Sequence, residues 1–67
     1  MNSIAHPDLL EEIAAFCARS DMSLAAFGKE AMGDPRFVYD IKAGRQCLPR
    51  TVQKARDYIA ANAERAA

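Results

Sequence analysis

The residues best suited to chemistry crowd into one short stretch: Arg36, Tyr39, Asp40, Lys42, Ala43, Arg45 and Arg50. Their types suit recognition of a base edge and a phosphate. An arginine fork can donate two bonds to guanine O6 and N7, and a carboxylate can accept from cytosine N4. A tyrosine can bond a phosphate or touch a thymine methyl, and lysine or arginine can neutralise phosphate charge. Alanine has no bulk to keep a helix out of a groove. Asp40 also stands four residues after Arg36, so it has a second reading, as the partner that orients Arg36 along a helix face.

Other chemistry finds no constellation. His6 is the single histidine, and Cys17 and Cys47 are the only cysteines. No Ser/His/Asp or Cys/His arrangement and no C-x-x-C spacing is present, so neither an enzyme nor a metal site is expected, and no cofactor. Two distant cysteines are too few for a secreted disulfide scaffold. They read as small apolar residues of a core or its rim. Met22, Met32 and Leu48 read as core gap-fillers. The start MNSIAHPDLL lacks the basic and apolar runs of a signal peptide, and no stretch has membrane-spanning length. A reducing, cytoplasmic setting is therefore expected, and a nucleoid-associated one if the chain binds DNA.

A formal net charge of zero would not suggest a polyanion as partner. The average hides a split. Residues 1–34 carry six acidic and two basic side chains, and residues 35–67 carry seven basic and three acidic, giving −4 and +4. A dipolar chain of this kind can still turn a positive face to an anion.

Positioning these side chains requires helices. The spacing predicts one all-α domain over 1–67, with helices near 8–19, 23–32, 35–43 and 51–63. In the first, Leu9, Ile13 and Phe16 share a stripe with Leu10 and Cys17. Ser23 is a natural cap for the second. Gly33-Asp34-Pro35 marks a turn, with Asp34 as cap and Pro35 as first residue of the third, and Gly44 stops it. Pro49 falls in a loop, Thr51 caps the fourth helix, and its stripe is Val52, Ala55, Ile59 and Ala63. The first few residues and 64–67 are expected to fray. The expected core is Leu10, Ile13, Phe16, Phe27, Ala31, Val38, Ile41, Val52, Ala55 and Ile59.

Two short helices joined by a tight turn form the heart of a helix-turn-helix, in which the first braces the second and the second enters the major groove. At about 100° per residue, Phe37, Val38 and Ile41 fall on one arc of the third helix, and Arg36, Tyr39, Asp40 and Ala43 on the other. Gly28, inside the second helix, reads either as a point of close approach to another backbone or as a plain weak spot; in the first case it faces the third helix. Leucine there should overpack the contact, while alanine should be tolerated.

The stretch Met22 to Arg45, MSLAAFGKEAMGDPRFVYDIKAGR, resembles the Cro/repressor (Xre-like) class of helix-turn-helix proteins. Ser23 falls at that family's helix-two cap, Phe27 at its usual leucine, and Gly28 at the small residue facing the recognition helix. Ala31 takes the next core position and Asp34 the Ser/Thr cap. Val38 and Ile41 match the two buried aliphatics, and Gly44-Arg45 the Gly-basic ending. Gly-Asp-Pro-x-Phe-Val-x-Asp-Ile, followed by Gly-Arg, looks like small regulators of bacteria and their prophages. Leu24 stands where the family often has a DNA-contacting glutamine, and four helices stand where many members have five.

The resemblance implies a lambda-repressor-like fold and sequence-specific binding of double-stranded DNA, hence transcription regulation. The expected contacts are Arg36, Tyr39, Asp40 and Ala43 on the groove-facing arc, Lys42, Arg45 and Arg50 on phosphates, and Ser23 and Pro35 at the two helix starts. Reading a useful length of duplex calls for a homodimer or a larger regulatory partner. Tyr58, Ile59 and the fourth helix are candidate contacts, although Tyr58 could equally cover the core edge. The alternative is a protein-interaction or antitoxin-like adaptor module on the same helical fold.

Overall fold

Proline supplies a preset φ at a helix start and lacks the N–H that would be unpaired there. Among the described residues, two of the four helices begin on one. In the computed structural model, which describes residues 6–63, the order is α1 Pro7–Ser20, α2 Leu24–Met32, α3 Phe37–Lys42 and α4 Pro49–Ala61. The described residues contain no strand. The expected fraying of the first few residues and of 64–67 concerns positions outside this range.

Each boundary has a local cause. α1 stops at Asp21, whose φ of 56° breaks the helix, and the N–H of Asp21 returns to the Cys17 carbonyl. Ser23 caps α2 as expected, its hydroxyl accepting the Ala26 N–H at 3.0 Å. Gly33, at φ 70°, ends α2. Thr51 does not cap α4: Leu48 stands at the cap, Pro49 opens the helix, and the Thr51 N–H already donates to the Leu48 carbonyl at 2.9 Å. The helix therefore starts two residues earlier than the spacing predicts and ends at Ala61, leaving Ala63 beyond it and exposed.

The core comprises Leu9, Ile13, Phe16, Cys17, Phe27, Ala31, Phe37, Val38, Ile41 and Ala55. Of the two α1 stripes, the one through Leu9 points inward, while Leu10 is half-buried at its margin. Val52 and Ile59 are likewise half-buried, so α4 covers the core and only Ala55 enters it fully. Phe16, Phe27 and Tyr58 meet edge to face, with ring centroids 5.5–6.0 Å apart, the arrangement aromatic rings prefer. Tyr58 thus seals the core edge. Met22 and Met32 pack against the core as gap-fillers, but Leu48 stays 60% exposed.

α3 is held by α2 above all, and by α1; α4 packs across α1 and α2. Arg56 of α4 clasps Glu12 of α1 at 3.1 Å from the outside.

Candidate nucleic-acid interface

A six-residue helix has little stability of its own, so α3 must be fixed at both ends and along one face. Along its face, Phe37, Val38 and Ile41 are all buried. At its start, Gly28 lets the backbone of α2 press against the turn. A Cβ built there would collide with the Asp34 carbonyl oxygen and lie 3.3 Å from Phe37 Cβ. The Asp34 N–H donates to the Gly28 carbonyl at 3.1 Å, which ties the two segments at that point. The expectation that alanine would fit at Gly28 is therefore corrected: the obstacle is backbone, which cannot swing aside as a side chain can.

The approach to α3 also differs from expectation. Asp34 and Pro35 do not act as cap and first helical residue. The Phe37 N–H donates to the Asp34 carbonyl at 3.1 Å, and Arg36 has φ −94° and ψ 0°. Those values define a type I turn, which favours Asp at its first position and Pro at its second. The Asp34 side chain braces the turn, Oδ1 accepting the Arg36 N–H at 2.9 Å. The helix proper thus begins at Phe37, and Arg36 sits at its cap with an exposed side chain.

At the other end, Gly44 has φ 105°. Its N–H donates to the Ile41 carbonyl at 2.9 Å, and the Arg45 N–H to the Asp40 carbonyl at 3.0 Å. This is a Schellman motif, in which the residue after the glycine folds back beside the residue five positions earlier. A hydrophobic contact often joins those two side chains; here it is an ion pair, Arg45 Nη1 to Asp40 Oδ2 at 3.0 Å. The reading of Asp40 as the partner of Arg36 is thus corrected: Arg45 takes that place.

The outward face of α3 presents Arg36, Tyr39 and Ala43, all exposed, with Tyr39 at 50%. The Asp40–Arg45 pair borders it on the side of Phe37. Lys42 borders it on the side of Val38, where it shares a groove of about 220 Å³ with Leu10, Glu11, Ala14 and Leu24. Arg50 is exposed in the first turn of α4. Ser23 and Pro35 are exposed at their turns, and the Ser23 hydroxyl is engaged in capping. One face therefore gathers Arg36, Tyr39 and Ala43, with the Asp40–Arg45 pair along one edge and Lys42 along the other, while Arg50 stands apart on α4.

Sequence reasoning gave His6 no role, yet its Nε2 accepts the Cys47 N–H at 3.0 Å. That bond pins the α3–α4 connection to the start of α1, across 41 positions. No local pattern announces such a contact. Cys17 is buried, and desolvation raises its thiol pKa above the ordinary value. A buried thiol with a raised pKa is a poor nucleophile, in keeping with a packing role. The described residues contain no helix long and apolar enough to cross a membrane and no cluster of three metal-ligating side chains.

In comparisons with known proteins, no family model, no curated protein and no solved structure matches the chain.

Proposed function

We propose that this chain is a helix-turn-helix domain that binds double-stranded DNA sequence-specifically, with α3 as the recognition helix in the major groove, and that it regulates transcription. The observation that carries this reading is the two-sided character of α3. Its inner side is buried to the last apolar residue, while Arg36, Tyr39 and Ala43 stand clear of the rest of the fold. The glycine contact at Gly28 supports the same reading, since it fixes the angle between the bracing helix and the exposed one. The division of charge adds a positive contribution from residues 35–67.

Binding to a random-sequence duplex library, followed by titration at several salt concentrations, tests the proposal. One enriched motif and an affinity falling steeply with salt are expected, because each neutralised phosphate releases counterions. Arg36→Ala should relax preference at one base position by about 1–3 kcal/mol. Specificity over a full site calls for two copies, with recognition helices about 34–36 Å apart. The outer face of α4 is the contact surface proposed for that homodimer. Ultracentrifugation of the complex counts the chains per site.

A protein-interaction or antitoxin-like module is the second reading, and one observation favours it. Leu10, Ala14, Leu24 and Val38 line an apolar groove beside α3, at the place where a DNA-contacting glutamine was expected. Absence of any salt-dependent duplex binding would favour that reading over the first.

A further inference from the structure

We infer that Asp40 and Arg45 form a single composite reader of one C·G base pair, rather than a lone acceptor and a separate phosphate clamp. The inference rests on the proposed binding of duplex DNA through α3. A bare carboxylate on the rim of a DNA-facing helix would be repelled by phosphate. Asp40 is not bare: Arg45 Nη1 holds Oδ2 at 3.0 Å, so the pair carries no net charge. The Schellman turn sets this geometry before any DNA arrives, because the Arg45 N–H is bonded to the Asp40 carbonyl at 3.0 Å and Gly44 supplies the φ of 105° that makes the turn.

What remains of the two groups is complementary to a base pair. Among the described residues, Asp40 Oδ1 has no hydrogen bond, so an acceptor is available. A guanidinium has five N–H donors, and the ion pair uses only one. Acceptor and donors therefore stand side by side at the edge of the exposed face. The major-groove edge of a C·G pair offers the opposite set, a cytosine N4 donor beside the guanine O6 and N7 acceptors. An A·T pair matches less fully: its adenine N6 donor can face the carboxylate, but that donor lies between two acceptors, so the guanidinium reaches only one acceptor beside it, where C·G offers O6 and N7 together. The side chains are partly exposed, at 60% for Arg45 and 37% for Asp40, so the pair is reachable without unfolding.

The test is library selection and salt titration on the full chain, comparing the unaltered protein with Asp40→Asn, Arg45→Ala and the double variant. Thermal melting of each confirms that it folds. The expected result is loss of preference at the same C·G position in both single variants, by about five- to 150-fold, the range of one lost base contact. The double variant, which removes both charges together, should lose no more than either single one and should keep the salt slope of the unaltered protein. The inference is overturned if Arg45→Ala weakens all sequences evenly and flattens the salt slope by about one unit, the signature of a phosphate contact. Evenly tighter binding by Asp40→Asn, or an unchanged motif in both variants, overturns it too. In those cases the unaltered protein still selects a motif, and DNA binding stands. If the unaltered protein binds no duplex at any salt concentration, DNA binding itself fails, and this inference with it.

Discussion

The two ends of α3 are fixed by different physics. The front end is a matter of space: Gly28 stands so close to the Asp34 carbonyl that no Cβ fits between them. The back end is a matter of backbone conformation, since Gly44 turns the chain with a φ that L side chains rarely adopt. At the front the buried Gly28 and Phe37 meet, while at the back Gly44 is half-buried and the partly exposed Asp40–Arg45 pair stands beside it. The front sets the angle at which α3 leaves the body. The back sets which polar atoms it shows. A change at the front should therefore be felt as lost stability, and a change at the back chiefly as altered recognition.

Gly28→Ala breaks the comparison most sharply. The added methyl must push α2 away from the turn, so overpacking of about 1–3 kcal/mol is expected. In a domain this small each kcal/mol lowers Tm by about 4–8 °C. Urea and thermal melts would show it, and an unchanged Tm would mean that the close approach is not there. Gly44→Ala should come next. It forces a Cβ into a left-handed conformation, at about 1–2 kcal/mol. Asparagine, which tolerates that region better, should lose less at the same position. If Gly44→Ala proved worse than Gly28→Ala, the assignment of space to the front and conformation to the back would be reversed.

Much of this was legible in the sequence, and the failures share a cause. Helical period placed the four elements, and the inner arc of α3 was right in all three residues. Ser23 capped where its type said it would. The misses came where two readings of one residue competed. Asp34-Pro35 fits both a cap followed by a first helical residue and a type I turn, and the turn won because it keeps Phe37 against Gly28. Pro49 and Thr51 both suit a helix start, and proline, the earlier, took it. Leu9 and Leu10 are adjacent, and only the direction of α2 decides which points inward. Asp40 had arginines available on both sides. Having read Gly44 as the stop, the sequence also implied Arg45 as its folded-back neighbour, so that pair was recoverable in principle. The His6–Cys47 bond was not, because it links segments 41 positions apart that only the packing brings together.

Asp34→Ala should have a smaller effect than either glycine change. It removes the Oδ1 that holds the Arg36 N–H but leaves the backbone bond of the turn, so a loss of about 1 kcal/mol is expected, as for other lost helix-start side chains.

Arg45→Ala should have the smallest effect on folding, and this makes it the most informative variant. It removes an exposed ion pair, and such pairs contribute about 0–1 kcal/mol because water and salt screen them and ordering two side chains costs entropy. The backbone half of the Schellman motif does not need the guanidinium, so the Arg45 N–H should still reach the Asp40 carbonyl. The melting midpoint should accordingly move by a few degrees at most, and less still at high salt, where the pair is already screened. A large fall in Tm would mean that the ion pair, and not the glycine turn, holds the back end of α3. The division between a sterically fixed front and a conformationally fixed back would then fail at the end where recognition is proposed to occur.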